Sequence, residues 1–349
     1  MVRIFAFCIS AKSLSVCRLR PVIAPLISIA IHLPVQTATF HEDFGDTLRR
    51  VQLNLVIFKS WKRLGLMWDK DSKLGTLQAD FIKGRMMQIK NIASEVFEAV
   101  RSVKQIEPFS KRGMQFSQTE AYAVAQKVAE LRGGQILGRK IGFTNRSIWP
   151  IYNVHEPMWA TMTNKTIEYA ATGDATLSLS NFCEPRIEPE IVIGLCKSPP
   201  RRPSIEDMVD CVGWIAPGFE IVDSIYPKWD FSLGDTIAAG GLHGRLVIGK
   251  KLPPPQNLIQ CLNDLQVTLS LNGQVSDRGQ GSDVLDGPIS ALQYLVLGIE
   301  KYQTQADLKS GDVVSTGTLT DAKPIFSGQI WRAEFVGLGS LHLEVRLTK

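Results

Sequence analysis

The chain has 349 residues, of which 44% are hydrophobic and 21% are charged, so it is long enough to bury a substantial core. Its formal net charge of +5 is unevenly spread, because residues 1–85 carry +7 and residues 86–349 carry −2. The larger part of the chain lacks the basic surface that phosphate backbones require, and we expect no nucleic-acid partner.

The six cysteines are dispersed along the chain and form no C-x-x-C pair. This spacing indicates neither a zinc site nor a disulfide framework. It is typical of reduced thiols, and we therefore expect a cytoplasmic protein.

Residues 1–85 differ in character from the remainder, since no acidic residue precedes Glu42. An apolar stretch over residues 21–34 is too short and too interrupted to span a membrane, which needs about 20 apolar residues, so we expect no membrane association. Such a start is typical of an organellar presequence, of a weak secretory signal, or of an over-extended gene start with Met86 or Met87 as the true first residue. We treat residues 1–85 as a poorly ordered extension and predict one folded domain over residues 86–349.

Two helices are predicted at the start of that domain. Apolar residues recur at helical spacing over residues 89–103, which predicts an amphipathic helix. Ser117 and Glu120 make a capping-box pattern before a second apolar periodicity. Gly133-Gly134 then supplies a natural helix stop.

The rest of the domain is rich in predicted strands. These are residues 187–195, 219–222, 245–248, 267–271 and 313–316, followed by an alternating pattern over residues 331–347. Asn272-Gly273 predicts a hairpin turn, and residues 288–299 predict a helix. Residues 244–250 match most of a phosphate-binding loop, but Lys251 stands where that loop requires Ser or Thr, so we predict a strand there. The pattern predicts an α+β domain built around a mixed, curled sheet, preceded by a small helical segment.

Glu188 and Glu190 stand two residues apart at the head of an apolar strand. Side chains at this spacing point to the same face of a strand, and two such carboxylates repel each other unless a cation lies between them. Hard divalent ions prefer oxygen ligands of this kind. The pattern alone is compatible with a solvated strand end or with a metal site.

Two further segments hold charged residues in apolar surroundings. Glu220 and Asp223 lie in the segment FEIVDS, which fits an edge strand with outward acids as well as a site. Lys140 is flanked by glycines and apolar residues, and it is either a surface lysine or a partly buried one whose pKa burial would lower toward values suited to proton transfer.

Taken in order, seven segments resemble the 2-keto-4-pentenoate hydratase and 4-oxalocrotonate decarboxylase group of the fumarylacetoacetate hydrolase superfamily. They are GRKIGFT (138–144), EPRIEPEI (184–191), FEIVDS (219–224), DTIAAGGLHG (235–244), DVLDGPISAL (283–292), SGDVVSTGTLTDA (310–322) and GLGSL (337–341). The resemblance covers about residues 88–347, and the ordered combination is more specific than any one segment.

The resemblance implies a mixed β-sheet roll with flanking helices, a single Mg²⁺ or Mn²⁺, a homo-oligomer, and a small 2-oxo or enol acid as substrate. The metal ligands it implies are Glu188, Glu190 and Glu220, and the active-site lysine is Lys140. The residues it implies for substrate binding are Thr316, Gly317 and Asp235. The implied reaction is addition of water to a 2-hydroxy-2,4-dienoate, as in meta-cleavage catabolism of aromatic compounds.

Departures from the family pattern leave alternatives open. Many hydratases carry an acidic residue at the position of Met158 in the segment EPMWA, and the decarboxylases, like this chain, lack it. In addition, Ala239-Gly240 stand where hydratases have an Asp-Asn pair. His243 either replaces one of these as an acid or base, or is a packed core histidine. A 4-oxalocrotonate-type decarboxylase, an acylpyruvate C–C hydrolase and a non-catalytic binding protein on the same scaffold therefore remain the alternatives.

Overall fold

The structure is a computed structural model that describes residues 73–302, 307–339 and 341–349. The prediction that residues 1–85 are poorly ordered falls mainly on residues 1–72, which lie outside the described ranges. The expected boundary after residue 85 falls inside the first described helix, Lys73–Arg101. The single-domain interpretation of residues 86–349 stays a prediction.

Seven α-helices and three short 3₁₀-helices lie in the described ranges. They are α1 (Lys73–Arg101), α2 (Gln118–Arg132), α3 (Trp149–Tyr152), α4 (Ile205–Cys211), α5 (Leu233–Ala238), α6 (Leu258–Asn263) and α7 (Pro288–Tyr302), with 3₁₀ turns at Arg146–Ile148, Pro227–Trp229 and Gly281–Asp283. The predicted capping box is present, since Ser117 and Glu120 each bond the other's backbone N–H, and Gly133 ends α2 at φ +63°. No helix of these ranges is long and apolar enough to cross a membrane.

The described strands form two mixed sheets. They are β1 (Ile136–Gly142), β2 (Met158–Thr163), β3 (Ile167–Tyr169), β4 (Asp174–Ser178), β5 (Pro185–Leu195), β6 (Val212–Asp223), β7 (His243–Ile248), β8 (Gln266–Leu271), β9 (Gln274–Gln280), β10 (Val313–Thr318), β11 (Lys323–Pro324), β12 (Ile330–Val336) and β13 (Leu341–Thr348). The larger sheet has the order β2-β1-β10-β5-β6-β7-β3, with β11 paired to β5, and the smaller has the order β4-β13-β12-β8-β9.

The predicted strands and turn are confirmed, with one difference in organisation. Asn272 and Gly273 both have positive φ and join β8 to β9, as the hairpin signal predicts. Residues 243–248 form strand β7 and not a phosphate-binding loop. The sequence pattern predicts one curled sheet, whereas the strands divide into two, because periodicity reports burial and not which strands pair.

The largest core cluster joins both sheets and a helix. Phe219 of the larger sheet, Trp331 of the smaller sheet and Leu292 of α7 all belong to it and are almost fully buried. A second cluster packs α1, α2 and α5 against the end of β6, and Val96, Val124, Val222 and Ala238 belong to it. A fully buried large apolar side chain contributes roughly 1.5–3 kcal/mol to the free energy of unfolding. These clusters therefore hold β5 and β6 firmly in place within the larger sheet.

We expect removal of residues 1–85 to leave the domain folded. Among the described side chains of α1, the buried ones lie beyond this point, at Ile92, Ala93, Val96 and Ala99. The half-buried ion pair between Arg85 and Glu120 would be lost, which costs about 1 kcal/mol. The melting temperature of a chain beginning at Met86 should therefore lie within about 4 °C of the full chain's.

A chain beginning after α1 provides the control for this truncation. It loses Ile92 and Val96 from the core, and its melting temperature should fall by roughly 10 °C or more. An unfolded product from the shorter truncation would contradict the assignment of residues 1–85 as an extension.

Candidate active site

Strand register brings three glutamates together on the larger sheet. Glu188 of β5 lies directly opposite Glu220 of β6, and Glu190 follows on the same face of β5. One carboxylate oxygen from each of the three lies within 4.8 Å of the other two. The group that the sequence predicts as metal ligands is thus brought to one place.

The three carboxylates are held away from water with incomplete hydrogen bonding. Glu190 and Glu220 are fully buried, and Glu188 is half-buried. Among the described residues, Glu190 Oε1 and Glu220 Oε2 have no hydrogen-bond partner. Buried anionic oxygens without donors are costly unless a cation coordinates them. A cluster made only of carboxylate oxygens fits a hard divalent cation such as Mg²⁺ or Mn²⁺.

Charge repulsion inside the cluster is visible in its pKa values. Burial, and then the charge of Glu220, raise the pKa of Glu188 to about 7, against the lowering effect of Lys140. Burial together with Glu220 and Glu188 raises the pKa of Glu190 well above its ordinary value. Three adjacent carboxylates therefore resist joint ionisation, which a bound cation would relieve.

A β-bulge in β10 fixes the direction of Glu190. The register between β10 and β5 shifts between Ser315 and Thr318, and Gly317 has φ +107° there. The bulge aims the Gly317 N–H at Glu190 Oε2, 2.9 Å away, and the Ser315 hydroxyl donates to the same oxygen. A Cβ on Gly317 would lie 2.1 Å from Thr144 Oγ1, so only glycine fits this position.

His243 and Lys140 approach Glu220 from two sides. His243 Nδ1 lies 2.8 Å from Glu220 Oε1, and since a carboxylate only accepts, Nδ1 carries the proton. Burial lowers the pKa of His243 despite Glu220, so the ring is neutral and orients that carboxylate. Burial alone would raise the pKa of Glu220, but Lys140 and His243 together hold it below its ordinary value.

Lys140 is a buried lysine, in agreement with the second of the two sequence-based alternatives. Its Nζ lies 3.5 Å from Glu220 Oε2. Burial lowers the pKa of Lys140, but the three glutamates outweigh burial and raise it above the ordinary value, which the sequence does not predict. Gly241 gives this lysine its space, because a Cβ there would lie 2.8 Å from Lys140 Cε.

A cavity of about 480 Å³ opens onto the cluster at Lys140 and Glu188. Its other charged lining residues are Arg186, Asp321 and Lys323. Its aromatic lining residues are Phe143, Tyr152, Trp229 and Phe231, and its threonines are Thr144, Thr236, Thr318 and Thr320. The volume lies within the ~300–1,000 Å³ typical of pockets for small ligands.

Of the eight site residues predicted from the sequence, Lys140 and Glu188 line this cavity and six do not. Glu190 and Glu220 lie in the glutamate cluster, and the other four have the contacts that follow. Thr316 donates to the Ile191 carbonyl, 2.8 Å away, and Gly317 and His243 each contact a glutamate of the cluster. The predicted substrate-binding role of Asp235 does not fit its surroundings. Its fully buried carboxylate accepts hydrogen bonds from the backbone N–H and hydroxyl groups of both Ser110 and Ser232. It completes the capping box of α5 with Ser232 and ties that helix to the segment between α1 and α2, so its acceptor capacity is already used.

Sequence reasoning missed several lining residues. Arg186 stands two residues before Glu188 on the same strand face, so strand periodicity could have identified it. Thr318 and Thr320 lie in a segment that carries the family resemblance, which could have identified them. Trp229 and Phe231 lie in a loop outside every resembling segment, and only the fold brings them to the cavity.

The family model for the fumarylacetoacetate (FAA) hydrolase C-terminal domain matches residues 143–346. This match covers more than half of the chain, and the protein belongs to that family. The two-sheet fold with flanking helices agrees with the predicted fold class.

Relatives of known activity align over most of the chain. A 2-hydroxyhexa-2,4-dienoate hydratase of Comamonas testosteroni is 29% identical over 261 residues, covering 73% of this chain and 97% of the relative. A 2-keto-4-pentenoate hydratase of Paraburkholderia phymatum is 27% identical over 261 residues, covering 73% and 96%. The solved structure of 4-oxalocrotonate decarboxylase from Pseudomonas putida G7, complexed with magnesium and adipate, superposes with a TM-score of 0.68 at 23% identity, covering 75% and 98%. The last likeness supports the fold alone.

Gly241→Ala should displace Lys140, whereas Gly240→Ala should not. Both glycines have positive φ, at +68° for Gly240 and +65° for Gly241, so each substitution carries the same backbone strain of about 1–2 kcal/mol. A Cβ on Gly240 meets nothing within 4 Å, while one on Gly241 meets Lys140 and Ala160 below 3 Å. A lower melting temperature and a greater loss of Mn²⁺ affinity are expected in the Gly241 variant, and equal affinities of the two folded variants would contradict the role assigned to this glycine.

His243→Phe should weaken metal binding without unfolding the protein. The phenyl ring fills the buried site but gives Glu220 no donor, so Mn²⁺ affinity measured by calorimetry should fall by ~10–100-fold. His243→Gln retains a donor and should recover part of that loss. Exposed His155 provides the control, and His155→Phe should leave the affinity unchanged.

Proposed function

We propose that the protein is a divalent-metal-dependent hydro-lyase that adds water to a 2-hydroxy-2,4-dienoate and yields a 4-hydroxy-2-oxo acid. The observation that carries this proposal is the group of Glu188, Glu190 and Glu220, of which Glu188 lines the cavity together with Lys140. The hydratase names of relatives that align along 96–97% of their own lengths support it independently.

The residues proposed to hold the cation are Glu188, Glu190 and Glu220. Their oxygens are close enough to share one ion, and Glu190 Oε1 has no described hydrogen-bond partner, while Glu220 Oε2 has only the Lys140 ammonium 3.5 Å away. When bound, a divalent cation supplies Lewis-acid stabilisation of negative charge on the 2-oxo oxygen of the substrate. Half-buried Glu188 faces the cavity, so the open side of the ion would be the side that a substrate reaches.

Lys140 is proposed as the group that moves a proton. In the first step the 2-hydroxyl group loses its proton and C5 gains one, which leaves a 2-oxo-3-enoate. One water then adds across the C3–C4 double bond, with its hydroxyl at C4 and a proton at C3. Of the titratable side chains lining the cavity, Lys140 is the one buried against the glutamates, and its Nζ faces their shared space. In its protonated form it donates to the substrate, and as an amine it accepts a proton back.

His243 and Asp235 are not proposed as proton carriers. His243 is a positioning residue for Glu220, and its Nε2 is buried without a described partner. Thr318 and Thr320, whose side chains are half-buried or buried beside the cavity, are proposed to bind polar groups of the substrate or the added water.

We also propose that the protein acts as a cytoplasmic homo-oligomer, with residues 86–349 as its catalytic domain. The family resemblance and the dispersed cysteines support this. Light scattering of the purified chain measures the oligomeric state.

Incubation with Mg²⁺ and 2-hydroxypenta-2,4-dienoate tests the activity. We expect metal-dependent loss of the dienol absorbance and formation of 4-hydroxy-2-oxopentanoate, identified by mass spectrometry. Release of CO₂ from 2-hydroxyhexa-2,4-dienedioate without hydration would replace the proposal by the decarboxylase alternative. Absence of both reactions with metal bound would support a binding protein.

Glu190→Gln should have opposite effects on the protein with and without metal. Without metal, the substitution removes one of three repelling buried charges, and the melting temperature should rise or remain unchanged. With Mn²⁺ at about 100 times its Kd, the wild-type protein gains ~2.7 kcal/mol, a rise of roughly 5–10 °C, which the variant should lose together with turnover. Glu168→Gln, a strand glutamate outside the cavity, should retain both.

A further inference from the structure

The cavity next to the glutamates is larger than the smallest dienoate requires. Its volume of about 480 Å³ lies within the ~300–1,000 Å³ range of pockets that hold drug-sized ligands. A five-carbon dienoate has only eight non-hydrogen atoms. The remaining space must receive either water or a further part of the substrate, and the lining decides which.

Four aromatic side chains form a continuous arc around this space. Trp229 and Phe231 have ring centroids 6.0 Å apart, Phe231 stacks on Tyr152 at 5.7 Å and 13°, and Tyr152 meets Phe143 edge-on at 5.2 Å. We call these four residues the aromatic arc. All four are half-buried and all line the cavity, so their remaining surface faces a space that a ligand enters.

The arc begins and ends beside the glutamate cluster. At one end, the Arg186 guanidinium lies 4.1 Å from the centre of the Trp229 ring, and Arg186 precedes Glu188 by two residues on the same face of β5. At the other end, Phe143 is the first residue after β1, the strand that carries Lys140. A substrate held at the glutamates would therefore extend into a space with aromatic walls.

The fold maintains strained backbone in order to present two members of the arc. Phe143 has φ +57° and Trp229 has φ +58°, both in the left-handed region, which costs about 1–2 kcal/mol for a residue with a side chain. Each is held there by a hydrogen bond, from Trp149 Nε1 to the Phe143 carbonyl at 2.8 Å and from Trp229 Nε1 to the Glu184 carbonyl at 3.1 Å. Strain of this kind concentrates where side chains serve a ligand.

Charge in the cavity favours one carboxylate on the ligand and disfavours a second. The negative charges of the three glutamates are cancelled by the positive charges of protonated Lys140 and a divalent cation. Arg186 has no described salt-bridge partner, so its positive charge can balance one substrate carboxylate. Lys323, the remaining cation of the described lining, is already outnumbered by Asp277 at 2.7 Å and Asp321 at 3.4 Å. A second carboxylate would meet aromatic faces and net negative charge.

We propose that this enzyme prefers 2-hydroxydienoates that carry a single carboxylate and a bulky apolar group, preferably aromatic, at the opposite end. This inference rests on the proposed function, because it assumes that the 2-oxo or enol acid end lies at the glutamates. It names the substrate class within that function.

The test measures binding, so that it does not depend on turnover. With Mn²⁺ present, calorimetry compares three stable 2-oxo acids that differ in their tails, namely 2-oxobutanoate, 4-phenyl-2-oxobutanoate and 2-oxopentanedioate. We expect the phenyl compound to bind about tenfold or more tightly than 2-oxobutanoate, since ring burial against aromatic walls is strongly favourable. The diacid should bind no better than 2-oxobutanoate. The phenyl-to-methyl ratio is defined as the affinity for 4-phenyl-2-oxobutanoate divided by the affinity for 2-oxobutanoate, whose chain ends in a methyl group. A ratio near one, or a preference for the diacid, overturns the proposal.

Variants locate the effect in the arc. Phe231→Ala should bring the phenyl-to-methyl ratio close to one, and Phe231→Leu, which keeps the packing, should lower it partly. Phe326 is 65% exposed and does not line the cavity, so Phe326→Ala should leave the ratio unchanged. If Phe231→Ala does not fold, the wild-type ratio and the Leu variant decide the question.

Turnover then separates the two proposals. Hydration of 2-hydroxy-5-phenylpenta-2,4-dienoate in preference to 2-hydroxypenta-2,4-dienoate supports both. Hydration of dienoates with a binding ratio near one overturns the substrate class alone. A tenfold binding ratio without hydration of any dienoate overturns the proposed reaction and leaves the apolar-tail specificity standing.

Discussion

Three carboxylates share one buried volume in this protein, and the rest of the site follows from how that repulsion is managed. One carboxylate oxygen from each of Glu188, Glu190 and Glu220 lies within 4.8 Å of the other two, and Glu190 Oε1 has no described hydrogen-bond partner. Such a group is unfavourable in itself, so the surrounding sheet must hold it by packing gained elsewhere. The cluster is thus suited to a cation, and relief of its repulsion would contribute to the affinity for one.

Each glutamate is oriented by a different kind of partner. Glu190 is directed by the backbone N–H of a bulge at Gly317, Glu220 by the neutral ring of His243, and Glu188 by its position opposite Glu220 in the strand register. A backbone donor and a buried ring are both rigid, so the two innermost ligands have little freedom to reorganise. Glu188, at the cavity, is the ligand with most freedom to adjust when a substrate enters.

The sequence predicts that the three glutamates come together, because this follows from local periodicity and an ordered family resemblance. Glu188 and Glu190 share a face in any strand, and the segment around Glu220 reads as the next strand. Asp235 lies in a resembling segment too, but the sequence does not reveal that Ser110, far away in the chain, would occupy its carboxylate. The division into two sheets is equally invisible, because strand pairing is a long-range property.

The division of labour between strands and loops has an evolutionary consequence. The three carboxylates lie on β5 and β6. Outside the sheets, Phe143 and Phe231 lie in loops, Tyr152 ends the short helix α3 and Trp229 ends a 3₁₀ turn. Mutations in those connections can reshape which molecules are accepted while the reaction centre stays intact, since surface connections tolerate change better than paired strands. One reaction centre of this kind can therefore serve many different acids across diverging lineages, with selection acting mainly on the loops.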